Sequence, residues 1–191
     1  WMKRKAAERN CAIAGSVAVC ENGNYYNRFY FVYPDGAVQH YDKKHLFTFG
    51  GEHKRFTAGT ERVVVNFRGV RILLEVCYDL RFPVWARNLG DYDMILYVAS
   101  WPTPRVDAWS ALLRARAIEN QCYVAGVNRM GVDPVCEYSG GSAIIDPYGK
   151  TIAECPWGRE SAVSADIDME ALQTFRKKFP VLDDADPFTL I

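Results

Sequence analysis

Histidine is scarce in this 191-residue chain, limited to His40, His45 and His53, and the six cysteines form no Cys-x-x-Cys pair. Neither a structural zinc site nor a redox dithiol is signalled by such spacing, and His45 with Glu52-His53 makes no recognised ligand pattern. Charge of either sign is not in excess, since Lys plus Arg number 23 and Asp plus Glu number 23. No stretch gathers basic residues, which removes the electrostatic footprint of a nucleic-acid binder and leaves a small molecule or a protein as partner. No apolar run approaches membrane-spanning length and no charged-then-apolar leader opens the chain, so no membrane partner is expected and the protein is read as soluble and cytoplasmic. Gly50-Gly51 and Gly140-Gly141 lack the spacing of a phosphate loop, and the sequence calls for no cofactor. Repeats and low-complexity tracts are absent.

What is present is apolar residue in quantity, 49% of the chain, enough to bury a proper core in one domain spanning residues 1–191. Free thiols are the expectation in a chain of this size: Cys11, Cys20 and Cys122 as packing residues in or beside apolar runs, Cys136 and Cys155 at loop or edge positions. A helix is expected to end near Arg9-Asn10, followed by strands over 12–20, 25–33 and 37–42, the last two closed by Pro34-Asp35-Gly36. A second hairpin is expected over 62–67 and 70–76, buried strands over 93–99 and 122–128, and a third hairpin around Asp146-Pro147-Tyr148-Gly149. Residues 106–121 pattern as a helix with Trp109, Leu112, Leu113 and Ala117 on its apolar face and Arg116 among them as a paired structural charge. A last strand over 162–167, a helix over 169–178 and an irregular tail over 179–191 complete the reading. Hairpins mixed with strand-helix-strand units point to mixed sheets carrying helices on their outer faces.

The stretch 72–88 organises the rest. Ile72 to Val76 reads as a buried strand and Pro83 suits the first turn of a helix, which leaves Cys77 at a strand-to-helix turn. A thiol there sits near backbone N–H groups that favour the thiolate and can donate to an oxyanion, so Cys77 is the candidate nucleophile. Each histidine is a possible base for a Cys-His hydrolase. Lys43, at the end of a hairpin strand, is placed to stabilise an oxyanion, and Glu52 in a glycine-flanked loop is a candidate acid or base. Glu75, two residues before Cys77 and on the same face by alternation, is either a base or half of a buried ion pair. Ser100-Trp101-Pro102 follows a buried strand at the end where sheet-and-helix folds commonly place a site.

Four segments taken together carry a resemblance: Tyr41-Asp42-Lys43-Lys44-His45-Leu46-Phe47; Gly51-Glu52-His53 with Thr57-Ala58-Gly59; Val76-Cys77-Tyr78-Asp79-Leu80-Arg81-Phe82-Pro83; and Ala115-Arg116-Ala117-Ile118-Glu119-Asn120. In order and spacing the chain resembles the carbon-nitrogen hydrolase (nitrilase) superfamily. The resemblance implies an α+β fold, a four-layer α-β-β-α sandwich, here without the family's N-terminal strand and helix. It also implies amide hydrolysis by a Glu-Lys-Cys triad through a Cys thioester, and a homodimer with the C-terminal tail at its interface. Lys43 matches the triad lysine, Cys77 the nucleophile, Glu52 a second glutamate near the site, and the Tyr78 N–H joins Lys43 at the oxyanion. The general-base glutamate is expected upstream of Trp1, since neither Glu8 nor Glu21 matches its motif.

Gly51-Glu52-His53, Phe56-Thr57-Ala58-Gly59 and Ser100-Trp101-Pro102 look most like the omega-amidase branch, which cleaves the side amide of short dicarboxylate monoamides. Arg81 or Arg129 would then meet the substrate carboxylate, with Trp101 beside it. Another branch, such as a carbamoyl-amide hydrolase or a nitrilase, would share Lys43 and Cys77. A catalytically dead fragment or binding module would bind without turnover.

Overall fold

The computed structural model describes residues 1–189. The first helix, α1 (Met2–Arg9), stops where Asn10 turns into the left-handed region at φ 47° and returns its N–H to Ala6 and Ala7. Strands β1 (Ile13–Glu21), β2 (Asn24–Val32) and β3 (Val38–Asp42) then form an antiparallel sheet in sequence order. Alternation along β2 directs Phe29 and Phe31 to one face, with Tyr41 of β3 paired opposite Phe29. On the same strand Arg28 turns the other way and is buried between Asp42, at 2.7 Å, and Glu21, at 3.0 Å.

A second sheet holds six strands in the order β11-β10-β7-β6-β5-β4. Its edge hairpin is β4 (Val64–Phe67) with β5 (Val70–Val76); β6 (Met94–Ala99) and β7 (Tyr123–Asn128) join in parallel; β10 (Ala143–Ile145) and β11 (Thr151–Glu154) close the far side antiparallel. The parallel crossover from β6 to β7 carries α3 (Val106–Glu119), and α2 (Pro83–Ala86) is a single turn opened by its proline.

Two apolar clusters fix the layers. Phe29, Phe31 and Tyr41 of the first sheet pack against Val65, Ile72, Leu74, Val76 and Val98 of the second, so the sheets lie face to face. Leu73, Ile95, Tyr97 and Val124 point the opposite way and pack under Trp109, Leu113 and Ala117 of α3. With α1 against the outside of the first sheet, the architecture is the expected α-β-β-α sandwich. Gly126 of β7 lets α3 come down: a Cβ there would meet Leu113 Cδ1 at 2.5 Å and Trp109 Cζ2 at 2.8 Å.

Three expectations need correction. Residues 162–167 pair with no described strand; their alternating pattern imitates half-burial, but Val163 is exposed and only Ala165 and Ile167 are half-buried. Cys20 is exposed rather than packed, because β1 is an edge strand whose far end stands clear of the core, while Cys155 is buried. A small hairpin, β8 (Met130–Val132) with β9 (Glu137–Ser139), forms where no element was expected. The helix over 169–178 is α4 (Met169–Lys178), capped by Asp168 through the Ala171 N–H. Within the tail expected over 179–191, Val181–Asp184 makes one 3-10 turn, and its last two positions lie outside the described residues. Among the described residues no helix is long and apolar enough to cross a membrane.

Candidate active site

The two sheets part at the carboxyl ends of β5, β6 and β7 to leave a cavity of about 540 Å³. Ala14 and Ser16 of β1 and Asn27 of β2 reach it from the first sheet; Val76, Val98 and Val127 form its floor from the second. Lys43, Glu52, Cys77, Tyr78, Arg81, Trp101 and Arg129, drawn from five separate stretches of sequence, all line it.

Cys77 enters by a break in the strand. Alternation along β5 would send it with Leu73 and Glu75 toward α3, but its backbone takes φ 49°, the left-handed region that a non-glycine residue occupies at a cost of about 1–2 kcal/mol. The chain turns there into a 3-10 turn, Cys77–Arg81, and the thiol lines the cavity with Sγ 3.8 Å from the Ser100 carbonyl oxygen. Asp79 holds the turn. Fully buried, it accepts from the Val76 N–H at 3.0 Å, the Tyr41 hydroxyl at 2.8 Å and the His45 N–H at 2.9 Å, and its Oδ1 lies 2.8 Å from His45 Nδ1. A second tie comes from α3, where buried Arg116 donates to the Leu80 carbonyl at 2.6 Å and to Glu119 at 2.7 Å. Arg116 is therefore the paired structural charge that the sequence suggested.

Lys43 follows β3 and is 3% exposed. Burying an ammonium needs a partner, and Glu52 supplies it at 2.6 Å. The Glu52 carboxylate also accepts from the Phe47 N–H at 2.6 Å and the Asn27 amide at 3.1 Å. Burial pushes the Glu52 carboxyl up, but Lys43 and these two donors outweigh it and hold the group below the usual carboxylate range. At Cys77 burial raises the thiol above its ordinary value, with Lys43 pulling it down and Glu52 and Asp79 adding to the rise. The pair next to the thiol therefore delivers a cation whose charge is partly spent on its own carboxylate.

None of the histidines lines the cavity. His45 is committed to Asp79 and stacked on Phe82 at 3.8 Å, while His40 and His53 are exposed, so the Cys-His arrangement is not formed. Glu75 is likewise not beside the thiol. It points from β5 to the helix layer opposite Tyr97, and the left-handed turn at Cys77 is what separates the two residues. Both Glu75 oxygens are buried with no hydrogen-bond or salt-bridge partner among the described residues, so the expected ion pair is not formed there. Burial first and Asp79 second push its carboxyl well above the ordinary value, against the pull of Arg62 and Arg116.

Arginine is the notable component of the rim. Arg81 lies over the Trp101 ring at 5.1 Å and Arg129 over Tyr138 at 4.3 Å, with Asp133 3.7 Å from Arg129. Trp101 is buried, its backbone N–H donating to Asn128 at 2.7 Å and its indole to the Arg105 carbonyl at 2.7 Å. Sequence reading passed over Arg105, Asn128 and Tyr138, which also line the cavity. For Arg105 a signal existed in its place three residues beyond Pro102, just before α3. Among the described residues no cluster of three or more His, Cys, Asp or Glu is placed to hold a metal ion. The arrangement can present a thiol to a carbonyl, meet a developing oxyanion with an ammonium, and attract an anionic group to the rim.

The chain is similar to known proteins over its whole length. Residues 1–177 match the family model described as Carbon-nitrogen hydrolase. Omega-amidase YafV of Escherichia coli (strain K12) is 53% identical over 191 residues, covering 100% of this chain and 75% of that protein. A 2-oxoglutaramate amidase of Bacillus subtilis (strain 168) is 42% identical over 189 residues, 96% of this chain and 72% of its own. The crystal structure of XC1258 from Xanthomonas campestris, a CN-hydrolase superfamily protein with an arsenic adduct in its active site, superposes with a TM-score of 0.96 at 47% identity, covering 100% of this chain and 75% of that one.

Proposed function

The chain belongs to the carbon-nitrogen hydrolase family and is an amidohydrolase, and on that premise we propose that it cleaves the side amide of a short dicarboxylate monoamide to the dicarboxylate and ammonia. The observation that carries this reading is the meeting, in one cavity, of the Cys77 thiol, the Lys43–Glu52 pair and an arginine-rich rim.

Cys77 Sγ attacks the amide carbon, and the thiol proton passes to a carboxylate base and from it to the departing nitrogen. As the carbonyl electrons move to oxygen, Lys43 and the Tyr78 N–H, in the first turn of the 3-10 segment where backbone donors lack internal partners, hold the oxyanion. Its collapse expels ammonia and leaves a thioester on Cys77; water then attacks the thioester, releases the acid and returns the proton to sulfur. Glu52 holds Lys43 aimed at the reacting centre, and the general base is the glutamate that the family resemblance implies. Trp101 forms a wall of the acyl site, and Arg81 and Arg129 draw the free carboxylate inward. The six unpaired cysteines suit a reducing compartment, and we place the enzyme in the cytoplasm. The protein acts as one domain and as a homodimer, a reading supported by the exposed apolar side chains Ile118, Tyr148 and Phe179 near the outer surface of α3 and α4.

The test is ammonia release from succinamic acid by the protein and by its Cys77→Ala variant. Release that disappears with the thiol is the expected result. Equal release from both would remove Cys77 from the mechanism, and none from either would sink the amidase reading for this chain.

A further inference from the structure

Three arginines line the cavity, and they differ in what already engages them. Arg129 is exposed and has Asp133 3.7 Å away. Arg81, over the Trp101 ring, has no acidic partner and no side-chain acceptor among the described residues, but it is exposed to water. Arg105 is half-buried, its guanidinium 5.3 Å from the centre of the Phe47 ring, and its side chain has no acidic partner and no hydrogen-bond acceptor among the described residues. Its backbone, by contrast, is fixed on both sides: the N–H donates to the Pro102 carbonyl at 3.0 Å, and its own carbonyl accepts the Trp101 indole at 2.7 Å. Thr103–Arg105 is a short 3-10 turn that runs straight into α3, so the stem leaves a rigid base. Phe47 on its other side is held by Glu52 through the Phe47 N–H, which links the guanidinium's platform to the Lys43–Glu52 pair.

A guanidinium removed from water in part, and given an aromatic face but no anion, retains unfilled donors in the planar fork that fits a carboxylate. We propose that Arg105 is the specificity-determining residue of this site, binding the free carboxylate of the substrate, with Arg81 and Arg129 acting as exposed guides at the mouth. The inference rests on the dicarboxylate monoamide reading above. It deepens that reading by assigning the carboxylate to a residue on the turn before α3, so that acyl length is set by the span from the Cys77 turn to that turn. A neutral amide of the same shape would meet the same thiol and oxyanion site but leave the Arg105 fork unfilled.

The experiment compares succinamic acid with succinamide, its neutral isostere, as initial rates for the protein and for Arg105→Gln, Arg105→Lys, Arg81→Gln and Arg129→Gln. In parallel, calorimetric titration with succinate measures carboxylate binding without turnover. Arg105→Gln is expected to lower the ratio of kcat/KM for succinamic acid over succinamide about 10- to 100-fold, chiefly through KM, the loss typical of a charge-assisted pair. Succinate binding should weaken by a similar factor. Arg105→Lys should recover part of both losses, and the Arg81 and Arg129 variants should change the ratio less than about threefold. A parallel fall for both amides, or a ratio that follows Arg81 or Arg129 instead, would overturn the assignment. Succinate binding that depends on Arg105 in a protein that cleaves neither amide would uphold the carboxylate site and defeat the amidase reading alone.

Discussion

Lys43 and Glu52 pair at 2.6 Å, and their charges pull the Cys77 thiol in opposite directions, Lys43 lowering its pKa and Glu52 raising it. Lys43→Met removes the cation that lowers the thiol's pKa, so the midpoint of its alkylation by iodoacetamide should move to higher pH. An unchanged or lowered midpoint would place the ammonium out of electrostatic reach. Glu52→Gln is predicted to destabilise by about 3 kcal/mol at neutral pH, the scale for a buried ion pair left with one charge. Because the Glu52 carboxyl titrates below its ordinary 4.5 in the folded state, its contribution is complete above that pH and is lost as pH falls through the lower, folded value. The melting temperatures of the two proteins should therefore converge in acid. A gap that persists or widens there would contradict the assignment of the shift. At this scale the candidates were legible: Lys43, Glu52 and Cys77 could be singled out from residue type and motif order, and they line one cavity. Arg105 was signalled only by its place after Pro102, because no local pattern says which of several arginines will be both unpaired and half-buried.

The element on which the site turns is the five-residue segment Cys77–Arg81. Asp79 and Arg116 act on it from opposite sides, the one beneath its first turn and the other across to Leu80. Asp79→Asn keeps the shape but loses the charge that His45 Nδ1 and the surrounding donors share, and should cost about 2 kcal/mol or more in denaturant unfolding. Arg116→Met should lower kcat for the amide with little change in KM, since the residue positions the turn without facing the cavity; a change confined to KM would refute that role. Gly126→Ala, which would drive a methyl group into Leu113 and Trp109, should destabilise by about 1–3 kcal/mol. Apolar runs and turn residues made most elements readable, as with β5, β6, β7 and α3. The β8 and β9 hairpin escaped because strands of three residues show no period. Residues 162–167 misled for the opposite reason: alternation was present, but a strand needs a neighbour, and pairing is a property of the fold rather than of the segment.

For the molecule as a whole, the buried acid on the helix side of β5 sets a pH dependence that opposes that of Glu52. Glu75 binds a proton more tightly folded than unfolded, so stability falls as pH rises above its ordinary 4.5 toward the raised, folded value. Glu75→Gln should remove that penalty, giving a variant at least as stable as the parent at neutral pH and less sensitive to alkali. A variant markedly weaker at pH 7 would mean that the carboxyl is ionised and paired. The layer order itself was legible, since hairpins followed by crossovers leave few alternatives to two sheets faced by helices; the direction in which Glu75 and Cys77 diverge was not, because it rests on one dihedral angle. The strand order of the second sheet carries a further consequence, for the time course of folding. Its centre is parallel, and β5, β6 and β7 can pair only after the intervening chain has closed two long loops, which makes their docking slow relative to the local hairpins. The cavity lies at the ends of those three strands and borrows Lys43 and Glu52 from segments that precede them, so the thiol acquires its neighbours only when the last long-range pairing is complete. In a refolding chain, Cys77 should therefore remain open to alkylation after β2 and β3 have gained their hydrogen-exchange protection.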